Sequence, residues 1–246
     1  MIDTHAHLDA CADPPEELVR RAREAGVGRI LTVGTTIERS RTALELADRH
    51  AEVFAILGIH PHEASDDHDL DALRALLDHP RAVAVGETGL DFFRDYAPHD
   101  RQGALFRQQL GLAAELGKPV VIHNRAADSD VLAELESFDG TVVLHCFSYP
   151  SALPAALDRG YYVSFAGNAT YKNASDLRVA ATQVPLDRIL TETDAPYLAP
   201  EPLRGRPNEP ANVVHTLEAL ARARGEAPDE LAAQVDENAK SAFGLP

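Results

Sequence analysis

Short, nearly continuous apolar runs alternate along this chain with longer stretches in which apolar residues recur every three or four positions. The short runs cover 2–7, 29–34, 53–59, 82–86, 119–122, 141–144, 161–165 and 188–191. The longer stretches cover 15–25, 38–49, 69–78, 99–116, 128–136, 151–158, 174–183 and 212–224. Strands buried on both faces read as unbroken apolar runs, which is the mark of a parallel sheet flanked by helices. Eight strand–helix units of roughly 30 residues each predict an α/β fold, a single (β/α)8 TIM barrel occupying residues 1–246 as one domain. A doubly wound open sheet is the alternative, but its glycine-rich dinucleotide fingerprint is absent. The stretch 228–243 predicts an extra C-terminal helix that caps the barrel.

Composition changes this picture little, and charge changes it more. Hydrophobic residues make up 45% and charged residues 25%, as in ordinary globular proteins. No apolar run is long enough to cross a bilayer. The chain starts directly with a histidine-bearing strand, so no secretory leader is expected. Cys11 and Cys146 are the only cysteines, too few for a disulfide framework, and a reducing cytoplasm is expected. The formal net charge is −16. A surface of that sign repels polyanions, and the one basic cluster, Arg20, Arg21 and Arg23, reads as a solvated helical face. Either the substrate is not a polyanion, or bound cations supply positive charge locally.

The second option gains weight from what stands at the strand ends. In barrels of this class the chemistry sits at the C-terminal ends of the strands. The first strand carries His5 and His7, whose i, i+2 spacing points both imidazoles to one face. The third ends in Gly58-Ile59-His60-Pro61-His62 and the fourth in Gly86-Glu87-Thr88-Gly89-Leu90-Asp91. The fifth ends in His123-Asn124-Arg125, the sixth in His145-Cys146-Phe147-Ser148 and the eighth in Glu192-Thr193-Asp194. Each has a bland explanation alone: Glu87 as a turn residue, His123 as a strand-closing histidine, Asp194 as a helix cap. His145 and Cys146 do not form a nucleophile pair, because adjacent strand residues face opposite ways. Together the bland explanations fail, since scattered structural residues have no reason to collect on one barrel face.

Four histidines with a glutamate and an aspartate form a ligand set for divalent metals. Imidazole with carboxylate suits Zn, Mn, Fe or Ni, whereas Mg prefers oxygen ligands. Six side chains exceed one tetrahedral site with an open position. They suit two ions sharing a bridging carboxylate, for which Glu87 is well placed. Asp194 either holds a metal or takes the proton of an attacking water.

These segments resemble the TatD family of metal-dependent deoxyribonucleases nearly end to end. The resemblance is carried by Asp3-Thr4-His5-Ala6-His7-Leu8-Asp9 and by the motifs quoted above around His60, Glu87, His123, His145 and Asp194. It is carried too by Tyr171-Lys172-Asn173-Ala174 and by the continuation Ala195-Pro196-Tyr197-Leu198-Ala199-Pro200. The resemblance implies a TIM-barrel hydrolase cleaving phosphodiester bonds of DNA, as a 3′→5′ exodeoxyribonuclease on single-stranded ends. It implies two divalent ions, with Mg, Mn and Zn as candidates, held by His5, His7, Glu87, His123, His145 and Asp194. It places Glu87, Asp194 and Glu192 among the catalytic or supporting carboxylates, and His60 and Arg125 on the substrate side. Asp3 shares a face with His5 and is expected to orient its imidazole.

The chain departs from the family at Tyr149, where glycine is common, and at Pro207, where arginine is common. Tyr149 is open to stacking on a base or to plain packing. The five prolines between 196 and 210 predict a stiff wall after the eighth strand. DNA is expected to bind weakly and only with metal present, and the protein is expected to be a monomer. The alternative function is a metal-dependent esterase or amidase, such as an aminoacyl-tRNA deacylase. A non-catalytic binding protein is a third reading, disfavoured by the complete ligand set.

Overall fold

The strands assemble in sequence order into one eight-stranded parallel sheet, β1 (Ile2–Ala6), β2 (Arg29–Gly34), β3 (Val53–Leu57), β4 (Ala82–Asp91), β5 (Val120–Arg125), β6 (Val142–Leu144), β7 (Tyr162–Phe165) and β8 (Ile189–Thr191). The computed structural model describes residues 1–94 and 96–246. The helices are α1 (Pro15–Glu24), α2 (Ile37–Arg49), α3 (Leu70–Leu77), α4 (His99–Leu116), α5 (Asp128–Glu134), α6 (Leu153–Asp158), α7 (Ser175–Gln183), α8 (Val213–Arg224) and α9 (Pro228–Phe243). Local signals explain their limits. Pro15 opens α1, with Glu16 and Glu17 in its first turn and Arg21 and Arg23 in its last, complementing the helix dipole. Gly117 stops α4 in the left-handed conformation.

Two apolar layers hold the barrel. Outward-facing strand residues such as Ile30, Ala55 and Leu57 pack in one cluster with Leu18, Leu46, Leu73 and Phe106 of the surrounding helices. Inward-facing residues, including Leu31, Val33, Phe54, Ile56, Val121, Val143 and Leu190, form a second cluster with Ala239, Ala242 and Phe243 of α9. The final helix thus plugs the N-terminal mouth of the barrel, leaving the opposite mouth for chemistry.

β1 and β8 close the barrel through contacts other than a ladder between the two strands. Ala6 and Ala195 form a parallel bridge, and Asp3 accepts from the Thr193 amide at 2.9 Å and the Thr193 hydroxyl at 2.6 Å. Burial pushes the Asp3 carboxyl up to about 8 despite these bonds. Asp3 therefore fastens the seam. It meets His5 only at the backbone amide, at 3.3 Å, which corrects the expectation that it orients that imidazole.

A second difference concerns β4. The apolar run ends at 86, yet the strand continues to Asp91 because Thr88–Asp91 pair with Ile122–Arg125 of an equally extended β5. This close pairing requires Gly89, whose φ is +142° and whose missing Cβ would lie 2.0 Å from the His123 carbonyl oxygen. Glu87 and His123 accordingly stand on rigid paired strands rather than on loops. Among the described residues no helix is long and apolar enough to cross a membrane, and both cysteines are free.

Candidate metal centre

Five imidazoles surround one buried carboxylate at the open mouth of the barrel. Oε2 of Glu87 lies 3.4 Å from His5 Nε2 and 3.8 Å from His7 Nε2. Oε1 of the same group lies 2.6 Å from His123 Nδ1, 2.9 Å from His145 Nε2 and 3.4 Å from His60 Nε2. The two oxygens thus divide the histidines into two sets. Asp194 joins the first, with Oδ1 at 3.5 Å from His7 Nε2 and 3.9 Å from His5 Nε2. Donor groups lying within 4.8 Å of one another are His5 with Glu87 and His145, His5 with His7 and Asp194, and His60 with His62 and His123.

The donor set fits divalent cations. His5 is fully buried, and among the described residues neither of its ring nitrogens makes a hydrogen bond. Its distances of 3.4 and 3.9 Å to carboxylate oxygens are long for shared protons. They are ordinary for ligands that share an ion, because two donors each about 2.0–2.2 Å from one metal stand roughly 3–4 Å apart.

Without an ion, protons balance the charges. Burial penalises the Glu87 carboxylate, yet His145, His60 and the hydrogen bond from His123 hold its pKa well below the usual range. Burial likewise opposes protonation of His145, yet Glu87 and Glu192 hold its pKa well above that of free imidazole. His7 and His123 are raised against the same burial penalty by Asp194 and by Asp91 with Glu87. Burial dominates for His60, pushing it down to about 4, so this imidazole is neutral.

The centre lies in a cavity of about 780 Å³, within the usual size of small-ligand sites. Arg39, Arg94 and Arg125 line its wall together with Tyr96, Tyr149, Asn168 and Tyr197. Lys118 lies away from the centre, donating to the Ala82 carbonyl at the opposite end of the barrel.

A match to the family described as TatD related DNase spans residues 2–244. The chain belongs to the TatD family of metal-dependent hydrolases. It is 41% identical over 262 residues to an uncharacterized metal-dependent hydrolase TatD of Mycobacterium tuberculosis, covering 100% of this chain and 98% of that one. It is 39% identical over 241 residues to the 3′-5′ ssDNA/RNA exonuclease TatD of Citrobacter koseri, covering 94% and 93%. The crystal structure of YjjV, a TatD homolog from Escherichia coli K12, superposes with a TM-score of 0.94 at 33% identity, covering 100% of this chain and 98% of that one.

Against this family background the expected residues sort into three places. His5, His7, Glu87, His123, His145 and Asp194 converge as described. His60 stands beside them, and Arg125 stands on the cavity wall with its guanidinium 4.3 Å over the Phe93 ring. Glu192, expected among the catalytic or supporting carboxylates, is 1% exposed and sits behind His145. Its Oε1 meets His145 Nδ1 at 3.0 Å and accepts from the Cys146 amide at 2.7 Å, so it reaches the cavity only through that imidazole.

One further expectation, that strand alternation turns Cys146 away from His145, is corrected. Cys146 does line the cavity, because β6 ends at Leu144 and Cys146 turns with φ of +46°, breaking the alternation of a strand. Burial and the charges of Asp194, Glu192 and Glu87 hold its thiol protonated. The Tyr149 hydroxyl accepts from the Ala126 amide at 3.2 Å, which ties that ring to the β5 loop. Asp91 and His62 belong to the same strand-end motifs, and the sequence assigns them no role. The buried Asp91 carboxylate meets His62 Nε2 at 2.7 Å and His123 Nε2 at 3.2 Å, while its other oxygen accepts from the amides of Phe93 and Arg94. The i, i+4 spacing of Glu87 and Asp91, which shares one strand face, is the signal that points to it.

Proposed function

We propose that the protein hydrolyses phosphodiester bonds of single-stranded nucleic acid, DNA in the first instance, removing nucleotides from the 3′ end with two divalent ions. His5, His7 and Asp194 would hold one ion and His123 and His145 the other, with Glu87 bridging through its two oxygens. The observation that carries this reading is the division of the imidazoles between Oε2 and Oε1 of one buried carboxylate. Ions there supply Lewis acidity to phosphoryl oxygens and lower the pKa of water.

The chain's own groups complete the site. Asp194, at the cavity wall, is placed to take the proton of the attacking water. Glu192 holds His145 in one tautomer and orientation. His60 is neutral, with Nδ1 accepting from the His62 amide and Nε2 3.4 Å from Glu87 Oε1, so a substrate contact from this ring would be made by Nε2 at the edge of the centre. Arg125 provides a guanidinium suited to paired phosphate oxygens. The net charge of −16 leaves the average surface hostile to nucleic acid, so binding is weak and depends on the ions. The naming of relatives such as the C. koseri protein as ssDNA/RNA exonucleases supports the substrate class.

The test is hydrolysis of a 5′-labelled single-stranded oligonucleotide by metal-stripped protein resupplied with Mg, Mn or Zn, with Asp194→Asn as control. A metal-dependent ladder shortening from the 3′ end, absent in the variant, is expected. Folded, metal-loaded protein that cleaves with none of the three would remove nucleic acid as substrate and move attention to acyl esters, including aminoacyl-tRNA.

A further inference from the structure

Five large hydrophobic side chains are conspicuously exposed among the described residues, and three of them gather at the mouth of this one cavity. Tyr96 is 60% exposed, Tyr197 56% and Phe93 62%. Tyr96 and Tyr197 line the cavity directly, and Phe93 lies beneath Arg125, which also lines it. Single exposed apolar residues need no explanation, but a concentration of aromatic rings around these metal-donor groups does.

Their positions are specific. Tyr197 follows β8 and stands edge-on to His7, with ring centroids 5.9 Å apart. Tyr96 follows β4 and stands edge-on to His62, at 4.7 Å. In an eight-stranded barrel β4 and β8 are diametrically opposed, so the two rings flank the centre from opposite sides. Both rings are more than half exposed to solvent. Phe93 carries the Arg125 guanidinium on its face, which places cationic N–H groups beside Tyr96's side of the cavity.

We propose that Tyr96 and Tyr197 are two base-stacking stations for the nucleotides on either side of the scissile phosphate, with the Phe93–Arg125 pair steadying the adjoining phosphate. The inference rests on the nuclease reading and extends it to the cause of single-strand preference. Stacking on a protein ring needs a base with a free face. Bases inside a duplex are already stacked on each other and offer none. Stacking also attracts a polyanion without adding net positive charge, which suits a chain this acidic.

The experiment compares two 5′-labelled single-stranded oligonucleotides of equal length, one natural and one whose two 3′-terminal residues are tetrahydrofuran spacers without bases. Initial rates are read for metal-loaded wild type, Tyr96→Ala, Tyr197→Ala and the corresponding Tyr→Phe variants. Wild type should prefer the natural strand by on the order of tenfold or more. Each alanine variant should lose the share of that preference that its own station contributes, through KM, while retaining its rate on the spacer strand, and each phenylalanine variant should keep it. Equal wild-type rates on the two strands, or alanine variants that slow both strands alike, would overturn the stacking assignment alone. Cleavage of neither strand by wild type would overturn the nuclease reading and this inference together.

Discussion

Replacing Glu192 separates the charge behind His145 from the geometry it imposes. In Glu192→Gln one acceptor oxygen remains for His145 Nδ1 and the Cys146 amide, which Oε1 now serves at 3.0 and 2.7 Å, while the negative charge is gone. The new amide nitrogen would occupy the place of Oε2, which is buried without a partner, so a stability loss of about 1–3 kcal/mol is expected from an unsatisfied donor. Loss of the charge makes His145 a poorer base and a weaker ligand. Groups that orient a metal-ligating histidine typically contribute 10–100-fold in affinity or activity, and each tenfold is about 1.4 kcal/mol. In Glu192→Ala both hydrogen bonds disappear, and the loss should fall at the upper end of that range or beyond it. Chelator competition would measure affinity, with circular dichroism confirming the fold. The expected order is wild type, then glutamine, then alanine, with two ions still bound at saturating metal. Unchanged affinity in both variants, or loss of activity in the glutamine variant with affinity intact, would refute action through His145 and return Glu192 to direct chemistry.

Three other outcomes follow from the same geometry. Glu87→Gln removes the carboxylate whose two oxygens face the two sets of histidines, so both of the proposed ions should be lost together after desalting, seen as a fall in bound metal from about two equivalents to below one; retention of one tightly held ion would argue against a bridge. The raised pKa values of His7, His123 and His145 mean that in the metal-free protein their contribution to stability is complete below about pH 6.5. That contribution is lost as pH rises through the folded values, whereas metal affinity rises over the same interval because the ligand nitrogens must be deprotonated. Urea midpoints of metal-free and metal-loaded protein should therefore diverge as pH rises above about 6.5, the value of a free imidazole, and parallel curves would count against shared nitrogens. Gly89→Ala forces a Cβ to 2.0 Å from the His123 carbonyl at φ of +142°, so a destabilisation on the order of 3 kcal/mol or more is expected; a thermal midpoint within about 2 °C of wild type would show that β4 and β5 part easily.

The barrel was legible in the chain because parallel strands buried on both faces cannot avoid being apolar. Val53–Leu57 and Ile189–Thr191 fall inside the runs that predict them. The same rule fails where function intrudes. β4 continues through Glu87, Thr88 and Asp91, and β5 through His123, Asn124 and Arg125, residues that end an apolar run without ending a strand. The donors could be found because they share strand ends, and residue type combined with position carries that much. What distinguishes a donor from its support is carried by neither. Glu192 and Asp194 are both acids on one strand end two residues apart, yet one is buried behind an imidazole and the other lines the cavity. β8 ends at Thr191, and Asp194 has turned into the left-handed region with φ of +53°. Asp3 looked like a support for His5 by spacing alone, but its partner is Thr193, 190 residues away, and only closure of the barrel brings them together. Such pairings are set by which strands become neighbours and by single backbone turns, so identical residue types at periodic spacing end in different roles.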